Sequence, residues 1–438
     1  MSSDASRARA LFVLALAVVL GPSCTIRDTV LHPTFPDGGL LAGSAPVPQG
    51  ALAHLDGMFR VREGGVFGAD QVAVHTTRDT VSIFAAPNAA YAVMRAGCIT
   101  GGTELVLEGA WRHATGTNTG LIRLSLGPSS LATAVCSGDF TTLPVPPPPP
   151  TFEGVTGSGA AMPGVAAGFD FDHALKATEG RFAVVGHHGA CATTDDCGAS
   201  ENSLESIRMT EAFGASVVEL DVHISADGIP FLFHDDQFNS RLATGPFCHG
   251  PVDKFTLANL RADCTLKFGE TIPTLEEALA TVLDDTDLRG VWLDTKLPAV
   301  IAPSVRLVEK YTALAAQKKR RVKIAVGIPD TDSLAAYTGL VPPPAPGTLC
   351  LVELEPADVR SAGCGIWGPD WTEGPSASDV SALQADGHAV VFWTMDEQTF
   401  IDAYLTTTTP NGIVTDRPGL VFQRFQTLGT LPPDRAQL

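Results

Sequence analysis

The sequence predicts an α/β protein, a (β/α)8 TIM barrel preceded by a small all-β sandwich or barrel domain. From residue 182 onwards, short apolar segments alternate with helical segments over about 245 residues, a usual length for a (β/α)8 barrel. Residues 51–143 instead carry short runs of alternating polar and apolar residues separated by Gly, Asn, Asp or Ser, which is typical of antiparallel strands. A doubly wound open sheet is the alternative for the second part, but no glycine-rich phosphate loop stands where one is expected.

Eight apolar segments are the strand candidates of the predicted (β/α)8 barrel. In chain order they are FAVVG, SVVELDVHI, IPFLFHD, GVWLDTK, VKIAVGI, TLCLVEL, AVVFWTM and NGIVTD. Helix candidates such as ENSLESIRMTEAFGA, TLEEALATVLDD and SDVSALQADGH lie between several of them. Strand–helix units that repeat in this way predict a parallel sheet closed into a barrel.

The N-terminus has the pattern of a secretory signal. Arg7 and Arg9 precede an apolar run from Ala10 to Leu20, which is followed by small residues and is too short for a comfortable transmembrane span. We therefore predict six segments. They are a signal peptide (1–24), a tether (25–50), a β-rich accessory domain (51–143), a Pro/Gly-rich linker (144–180), the TIM barrel (181–426) and a tail (427–438).

Cys24 lies at the end of the predicted signal peptide. It follows Gly-Pro-Ser and resembles the cleavage box of bacterial lipoproteins, although Gly21 stands where the box usually has Leu. Lipid attachment at Cys24 would tether the protein to a membrane, and the sequence leaves this open. The protein is expected to be exported, as a periplasmic, cell-surface or secreted protein.

The cysteines and the net charge indicate which cellular compartment and which partners to expect. Besides Cys24 there are eight cysteines, and an exported chain meets an oxidising environment. Proximity in sequence suggests the disulfides Cys98–Cys136, Cys191–Cys197, Cys248–Cys264 and Cys350–Cys364. The absence of a CxxC pair argues against a zinc site. The formal net charge of −19 argues against nucleic acid or an anionic membrane surface as a partner.

Two parts of the sequence contain no recognisable set of catalytic residues. The stretch LPVPPPPPTFEG, residues 143–154, favours a stiff extended spacer, with an SH3-type ligand as the alternative. The β-rich domain has no convergent set of catalytic residues, so we predict a binding or spacing module there.

Carboxylates on two strand candidates predict a metal site. Glu219 and Asp221 are two residues apart in VVELDVHI, so both side chains lie on one face of that strand. Asp294 and Lys296 have the same spacing in VWLDTKLP. The C-terminal ends of barrel strands meet at one mouth, where three carboxylates and a lysine suit a hard divalent cation. A structural ion-pair network around Lys296 is the alternative.

Histidines stand at the ends of two other strand candidates. VVGHHG ends with His187 and His188, and PFLFHDD has His234 near its tip. Imidazole moves protons near neutral pH, so His187 and His234 are the predicted acid–base pair, with a hydrogen-bonded structural role as the alternative. A cation and Lys296 would take up developing negative charge, which fits hydrolysis of a phosphodiester.

A series of short motifs runs in a fixed order from about residue 182 to 422. They are HHG, SEN, ELDV, ADGIPFLFHD, IPTLEEAL, LDTK, VVFWTMD and GIVTDRP. In order and spacing they resemble the glycerophosphodiester phosphodiesterases, whose barrel opens with His-Arg-Gly and Pro-Glu-Asn and continues with Glu-Leu-Asp-Val, Asp-Gly and a strand ending in His-Asp. The β-rich domain lies outside the resemblance.

The resemblance implies a role for each residue that matches a motif. The implied acid–base residues are His187 and His234. One divalent cation, Ca²⁺ or Mg²⁺, would be bound by Glu219, Asp221 and Asp294. The substrate and its phosphate would be bound by His188, Glu201, Lys296 and Trp393, and for Trp393 ordinary barrel core is an equal alternative.

The sequence departs from the family pattern at three places. His188 stands where the family has Arg, so a permanently charged, bidentate phosphate contact is replaced by a pH-dependent one. Asp294 replaces Glu and shortens the reach by one methylene. The loop bounded by Cys191 and Cys197 lengthens the connection to Glu201.

The resemblance implies hydrolysis of a small-molecule or lipid glycerophosphodiester to an alcohol and a phosphomonoester such as glycerol 3-phosphate. Whether a neighbouring substrate hydroxyl attacks first, to give a cyclic phosphate, is left open by the sequence. One alternative is a phospholipase D-like enzyme that acts on lysolipid or phospholipid. Another is a catalytically degenerate surface binding protein, which the changes at His188 and Asp294 motivate.

Overall fold

The structure is a computed structural model that describes residues 30–190, 192 and 195–435. Two closed barrels follow one another along these residues, first an antiparallel barrel and then a (β/α)8 barrel. The predicted (β/α)8 barrel is confirmed, and the all-β domain is a barrel. The predicted signal peptide, Cys24 and Cys191 lie outside the described residues. Within the described ranges no helix is long and apolar enough to cross a membrane.

Eight antiparallel strands form the N-terminal barrel, each paired with its neighbour in sequence, and β1 pairs with β8 to close it. They are β1 (Gly57–Glu63), β2 (Gln71–Thr77), β3 (Thr80–Ala85), β4 (Ala90–Ile99), β5 (Glu104–His113), β6 (Thr119–Leu126), β7 (Thr151–Thr156) and β8 (Val165–His173). Helix α1 (Ser130–Ser137) begins after Ser129, whose side chain accepts a hydrogen bond from the Ala132 N–H. Its Leu131 and Val135 join the apolar barrel core.

The structure corrects the predicted linker over residues 144–180, because β7 and β8 lie within it. Their small residues do not mark a flexible connection but allow strands to approach closely. A Cβ atom at Gly154 would lie 2.0 Å from the carbonyl oxygen of Arg123 on β6. The predicted tether also packs on this barrel where it is described, since the Leu40 N–H donates to the buried Glu108 carboxylate at 2.8 Å.

The second half of the chain contains the remaining elements. Its strands are β9 (Ala183–Gly186), β10 (Val217–Ile224), β11 (Pro230–Leu232), β12 (Gln237–Phe238), β13 (Ala243–Thr244), β14 (Gly250–Pro251), β15 (Thr265–Leu266), β16 (Gly290–Thr295), β17 (Lys323–Ile328), β18 (Leu349–Val352), β19 (Ile366–Trp367), β20 (Ala389–Phe392) and β21 (Gly412–Thr415). Its helices are α2 (Leu204–Met209), α3 (Leu257–Asp263), α4 (Leu275–Asp285), α5 (Pro298–Gln317), α6 (Thr331–Thr338), α7 (Pro356–Ala362), α8 (Ala377–Ala385), α9 (Gln398–Thr407) and α10 (Pro418–Leu428).

The parallel barrel consists of β9, β10 and β16 to β21. One of the predicted strands is not among them. The segment IPFLFHD forms β11, which pairs antiparallel with β10 as the second strand of a hairpin. The missing barrel strand is β19, whose two residues pair with β18 and β20. A strand of two residues is too short to show an alternating pattern, so the sequence did not indicate it.

The segment between β11 and α4 forms a small insertion with its own apolar core, which includes Phe233, Phe238 and Leu260. The predicted disulfide Cys248–Cys264 crosses this insertion. The predicted disulfides Cys98–Cys136 and Cys350–Cys364 are also formed. The fourth predicted disulfide includes Cys191, which is outside the described residues.

The two barrels pack against each other along β3 and α10. The Phe422 ring of α10 lies 5.4 Å from the ring of Phe84, measured between centroids. The Ser82 hydroxyl, also on β3, donates to the Ala212 carbonyl oxygen at 2.7 Å. Gly419 lets the aromatic contact form, because a Cβ atom there would lie 2.4 Å from Cδ1 of Phe84.

We therefore expect Gly419→Ala to destabilise the protein. The added methyl group would force Phe84 or α10 to move within a packed interface, at a cost of about 1–3 kcal/mol. Urea denaturation of the full chain measures this change in the free energy of unfolding.

Gly164→Ala is the matched control, because a Cβ atom at Gly164 meets no atom of residues 30–190, 192 or 195–435 within 4 Å. Equal stability of Gly419→Ala and Gly164→Ala would contradict the close interface between the barrels.

Candidate active site

The C-terminal mouth, the end of the (β/α)8 barrel at which its strands finish, gathers the predicted carboxylates. In the sheet register Asp221 of β10 lies beside Asp294 of β16. One oxygen each of Glu219, Asp221 and Asp294 lie within 4.8 Å of one another. The structure thus brings together the three predicted metal ligands.

Burial makes it costly to keep these carboxylates charged. Glu219 and Asp221 are almost completely buried. Burial, and after it the charge of Asp221, raises the pKa of Glu219 well above its ordinary value. Lys296 offsets part of the negative charge, since its Nζ lies 2.6 Å from Asp221 Oδ1 and also contacts Asp294. Lys296 therefore lies where the sequence predicted it.

The carboxylate group fits a hard divalent cation. Oε2 of Glu219 accepts a hydrogen bond from the His188 backbone N–H at 2.8 Å, whereas Oε1 is buried and has no hydrogen-bond partner among the residues that the structure describes. A buried carboxylate oxygen without a partner is costly unless a cation or another donor meets it. The donor set is entirely oxygen, which suits both Ca²⁺ and Mg²⁺.

Asn202 holds one of these carboxylates in place, a role that the sequence analysis did not assign. Its amide donates to Asp221 Oδ2 at 2.6 Å, and its side-chain oxygen accepts from the Asp221 N–H at 3.0 Å. Asn202 has a positive φ of 58°, which asparagine tolerates better than most residues. The residue was visible in the motif SEN, but nothing local indicated its partner.

His187 follows β9 and is oriented by Asp416, which follows β21. Its Nδ1 lies 2.7 Å from Asp416 Oδ1, and its Nε2 lies 3.5 Å from the Thr394 hydroxyl. Burial opposes a charge on His187, but the hydrogen bond and charge of Asp416 outweigh it and raise the pKa of His187 to about 10. Asp416 stands in the motif GIVTDRP, yet its pairing with a residue at the other end of the barrel was not predicted.

His188 is buried behind His187 rather than exposed at the mouth. Its Nε2 lies 3.3 Å from Asp221 Oδ2, and its Nδ1 lies 3.7 Å from Glu201 Oε1. Burial lowers the pKa of His188 to about 3, so its ring is neutral at pH 7. The residue at the family's arginine position therefore packs among carboxylates as an uncharged ring.

His234 stands on the other side of His188, with 4.8 Å between the two ring centroids. Its Nδ1 lies 2.7 Å from Asp235 Oδ1, and Arg241 fixes Asp235 in turn at 2.5 Å. Both predicted acid–base histidines thus have Nδ1 held by a carboxylate. Asp235 and Arg241 were not predicted, although Asp235 follows directly in the sequence.

The other predicted binding residues line the same mouth. Glu201 is buried and lies 3.8 Å from an Arg241 nitrogen. Trp393 follows β20, donates its indole N–H to the Gly368 carbonyl oxygen at 2.7 Å and packs against the apolar cluster inside the barrel. Glu353, which follows β18, was missed by the sequence analysis. Burial, and then the charge of Asp294, raises its pKa well above the ordinary value.

Residues 186–324 match the family model described as the glycerophosphoryl diester phosphodiesterase family. The probable glycerophosphodiester phosphodiesterase 2 of Mycobacterium tuberculosis is 27% identical over 235 residues, which cover 50% of this chain and 83% of that protein. Human glycerophosphodiester phosphodiesterase 1 is 38% identical over 90 residues, which cover 20% of this chain and 27% of the human protein. The bovine protein of the same name is 39% identical over the same shares.

The comparison with solved structures found two proteins that are each 22% identical to this chain. A putative glycerophosphoryl diester phosphodiesterase from Silicibacter pomeroyi has a TM-score of 0.45 and covers 57% of this chain and 95% of its own. A phosphodiesterase from Oleispira antarctica, solved in complex with the product sn-glycerol-3-phosphate, has a TM-score of 0.44 and covers 55% of this chain and 96% of its own.

Asp195 gives a pH-dependent prediction at the edge of this site. Burial raises the pKa of Asp195 to about 6 from 3.8, and the charge of Asp416 adds to the shift. Between these two pH values the folded chain keeps a proton that the unfolded chain has released, so stability falls as the pH rises. Asp195→Asn should therefore be more stable than the wild type by about 1–2 kcal/mol above pH 6, after allowance for partial exposure.

Urea denaturation of both proteins across this pH range measures the difference, which should vanish below about pH 4. Asp70→Asn, at an exposed carboxylate, is the control and should show no such trend. A constant difference between wild type and Asp195→Asn at every pH would be evidence against a protonated Asp195 in the folded protein.

Proposed function

Since the (β/α)8 barrel belongs to the glycerophosphoryl diester phosphodiesterase family, we propose that this protein hydrolyses a glycerophosphodiester to an alcohol and a phosphomonoester such as glycerol 3-phosphate. One observation carries the proposal. Two imidazoles, each with Nδ1 held by a carboxylate, stand beside three clustered carboxylates and a lysine at one barrel mouth.

The histidines supply the proton transfers. Because Nδ1 is occupied in His187 and His234, Nε2 is the atom of each ring that is left for the substrate. One Nε2 accepts the proton of the attacking water or substrate hydroxyl as its oxygen bonds to phosphorus. The other donates a proton to the alcohol oxygen as the P–O bond breaks. Asp416 and Asp235 keep the rings oriented through this exchange.

Charge at the mouth binds the phosphodiester. The divalent cation would be held by Glu219, Asp221 and Asp294, and it would supply Lewis-acid stabilisation of the phosphoryl oxygens. Lys296 contributes a permanent positive charge beside the same carboxylates. Burial and the neighbouring Asp221 and Asp294 charges act on the Lys296 pKa in opposite directions, and the charges prevail and raise it.

A lipid substrate is a second candidate. The insertion carries two exposed rings, Phe247 and Phe268, and the Phe268 N–H donates to the Ser200 hydroxyl at 3.0 Å, next to Glu201. In this second proposal the exposed Phe268 ring, held beside Ser200 and Glu201, binds an acyl chain. Comparison of lysophosphatidylcholine with glycerophosphocholine separates a lipid substrate from a water-soluble one.

We also propose that the protein is exported from the reducing cytosol. The three disulfides among the described residues support an oxidising compartment. The signal sequence and a tether at Cys24 belong to the same proposal and rest on the N-terminal sequence alone.

The activity test uses the purified mature chain and a panel of glycerophosphodiesters with Ca²⁺, with Mg²⁺ or with a chelator. We expect release of alcohol and glycerol 3-phosphate that requires a cation. His187→Ala and His234→Ala should each lower kcat by at least about 100-fold, because each removes one proton transfer.

His249→Ala is the matched control, since His249 is an exposed histidine of the insertion. It should keep wild-type kcat. The proposal fails if no glycerophosphodiester or lysolipid is cleaved with either cation, or if the His187 and His234 variants remain as active as His249→Ala.

A further inference from the structure

The N-terminal barrel reaches the segment that leads into the candidate active site. We propose that Arg112 on β5 is a positioning residue, which fixes residues 195–201 so that Glu201 and Asn202 enter the mouth at the correct place. The predicted effect on catalysis rests on the proposed function. The proposal gives the N-terminal barrel a role in shaping the active site.

Arg112 makes the central contact between this barrel and the segment. Its Nη1 donates to the carbonyl oxygen of Asp196, and its Nη2 donates to that of Asp195. The guanidinium thus binds two successive carbonyl groups with its two terminal nitrogens, which fixes both the position and the direction of the backbone. Arg112 is only 6% exposed, so water cannot easily replace these hydrogen bonds.

Further contacts surround the one that Arg112 makes. Tyr91 of β4 lies opposite Arg112 in the sheet register, and its ring meets that of Phe213 at 5.4 Å. In addition, His32 Nε2 lies 2.9 Å from Asp196 Oδ1. The contact with Asp195 and Asp196 is therefore part of a larger interface.

The segment is tied to the site at its far end. The Ser200 N–H donates to Glu270 Oε1 at 2.8 Å, and the Ser200 hydroxyl donates to Glu270 Oε2 at 2.7 Å. Asn202 then binds Asp221 through both its amide atoms. Asp196 is close in sequence to Glu201 and Asn202, so a displacement of the backbone at Asp196 would also displace these two residues.

Arg112 also borders the support of His187. A cavity of about 20 Å³ between the barrels is lined by Tyr91 and Arg112 on one side and by Asp195 and Asp416 on the other. That volume has room for about one water molecule. Since Asp416 orients His187, the N-terminal barrel borders the site at two points, the segment before Glu201 and the wall behind His187.

The test compares Arg112→Met and Arg112→Lys with Arg78→Met in the full chain. Arg78 is also an arginine between the two barrels, and its Nε lies 3.4 Å from Asp287 Oδ2. Asp287 precedes β16 and is therefore at the N-terminal end of the (β/α)8 barrel, away from the mouth. We expect amide hydrogen exchange in residues 195–202 to become at least about tenfold faster in Arg112→Met, with a smaller change in Arg112→Lys. The lysine variant also serves if the methionine variant folds poorly.

The same variants are then assayed on a cleaved glycerophosphodiester. We expect kcat to fall by about 10- to 100-fold in Arg112→Met, with partial rescue in Arg112→Lys, because small displacements of active-site groups lower the rate of the chemical step. Arg78→Met should match the wild type in both measurements.

Wild-type exchange in residues 195–202 of Arg112→Met would overturn the proposal, and so would faster exchange with unchanged kcat. A wild-type protein that cleaves no glycerophosphodiester would refute the proposed function instead. In that case the exchange measurement alone would decide whether Arg112 fixes the segment.

Discussion

The candidate site depends on the burial of two carboxylates of like charge, Glu219 and Asp221, on one face of a single strand. Removal of charged groups from water is costly, and two neighbouring anions raise the cost further. Lys296, Asn202 and the His188 backbone N–H each offset part of that cost. These groups leave part of the negative charge uncompensated. A divalent cation would compensate it and would also attract the anionic phosphodiester.

This constraint explains why so much of the chain converges on one mouth. Asp416 and Asp235 orient the histidines, and Asp416 does so from the last barrel strand to the first. Glu270 of the insertion binds Ser200, and Arg112 of the N-terminal barrel binds the backbone of Asp195 and Asp196. The N-terminal barrel, which lies outside the family match at residues 186–324, thus contacts the part of the site in which this sequence departs most from the family pattern.

Features set by local periodicity could be predicted from the sequence. Glu219 and Asp221 had to share a face because strand side chains alternate, and the shared mouth followed from the parallel barrel. Features set by pairing between distant residues could not. Nothing near His187 points to Asp416, which is 229 residues away, and nothing near Arg112 points to Asp195. The strand β19 was missed because two residues cannot show an alternating pattern, and β7 and β8 were missed because the Pro-, Gly- and Ala-rich composition around them indicated a linker.

The central claim is that Glu219, Asp221 and Asp294 form a divalent cation site. Isothermal titration of Ca²⁺ into the full wild-type chain and into Glu219→Gln tests it most directly, without reference to any substrate. The account predicts one site per chain in the wild type and loss of at least about tenfold in affinity in Glu219→Gln, which keeps the shape of the side chain but removes its charge. Absence of binding to the wild type for both Ca²⁺ and Mg²⁺, or equal affinity in Glu219→Gln, would contradict it.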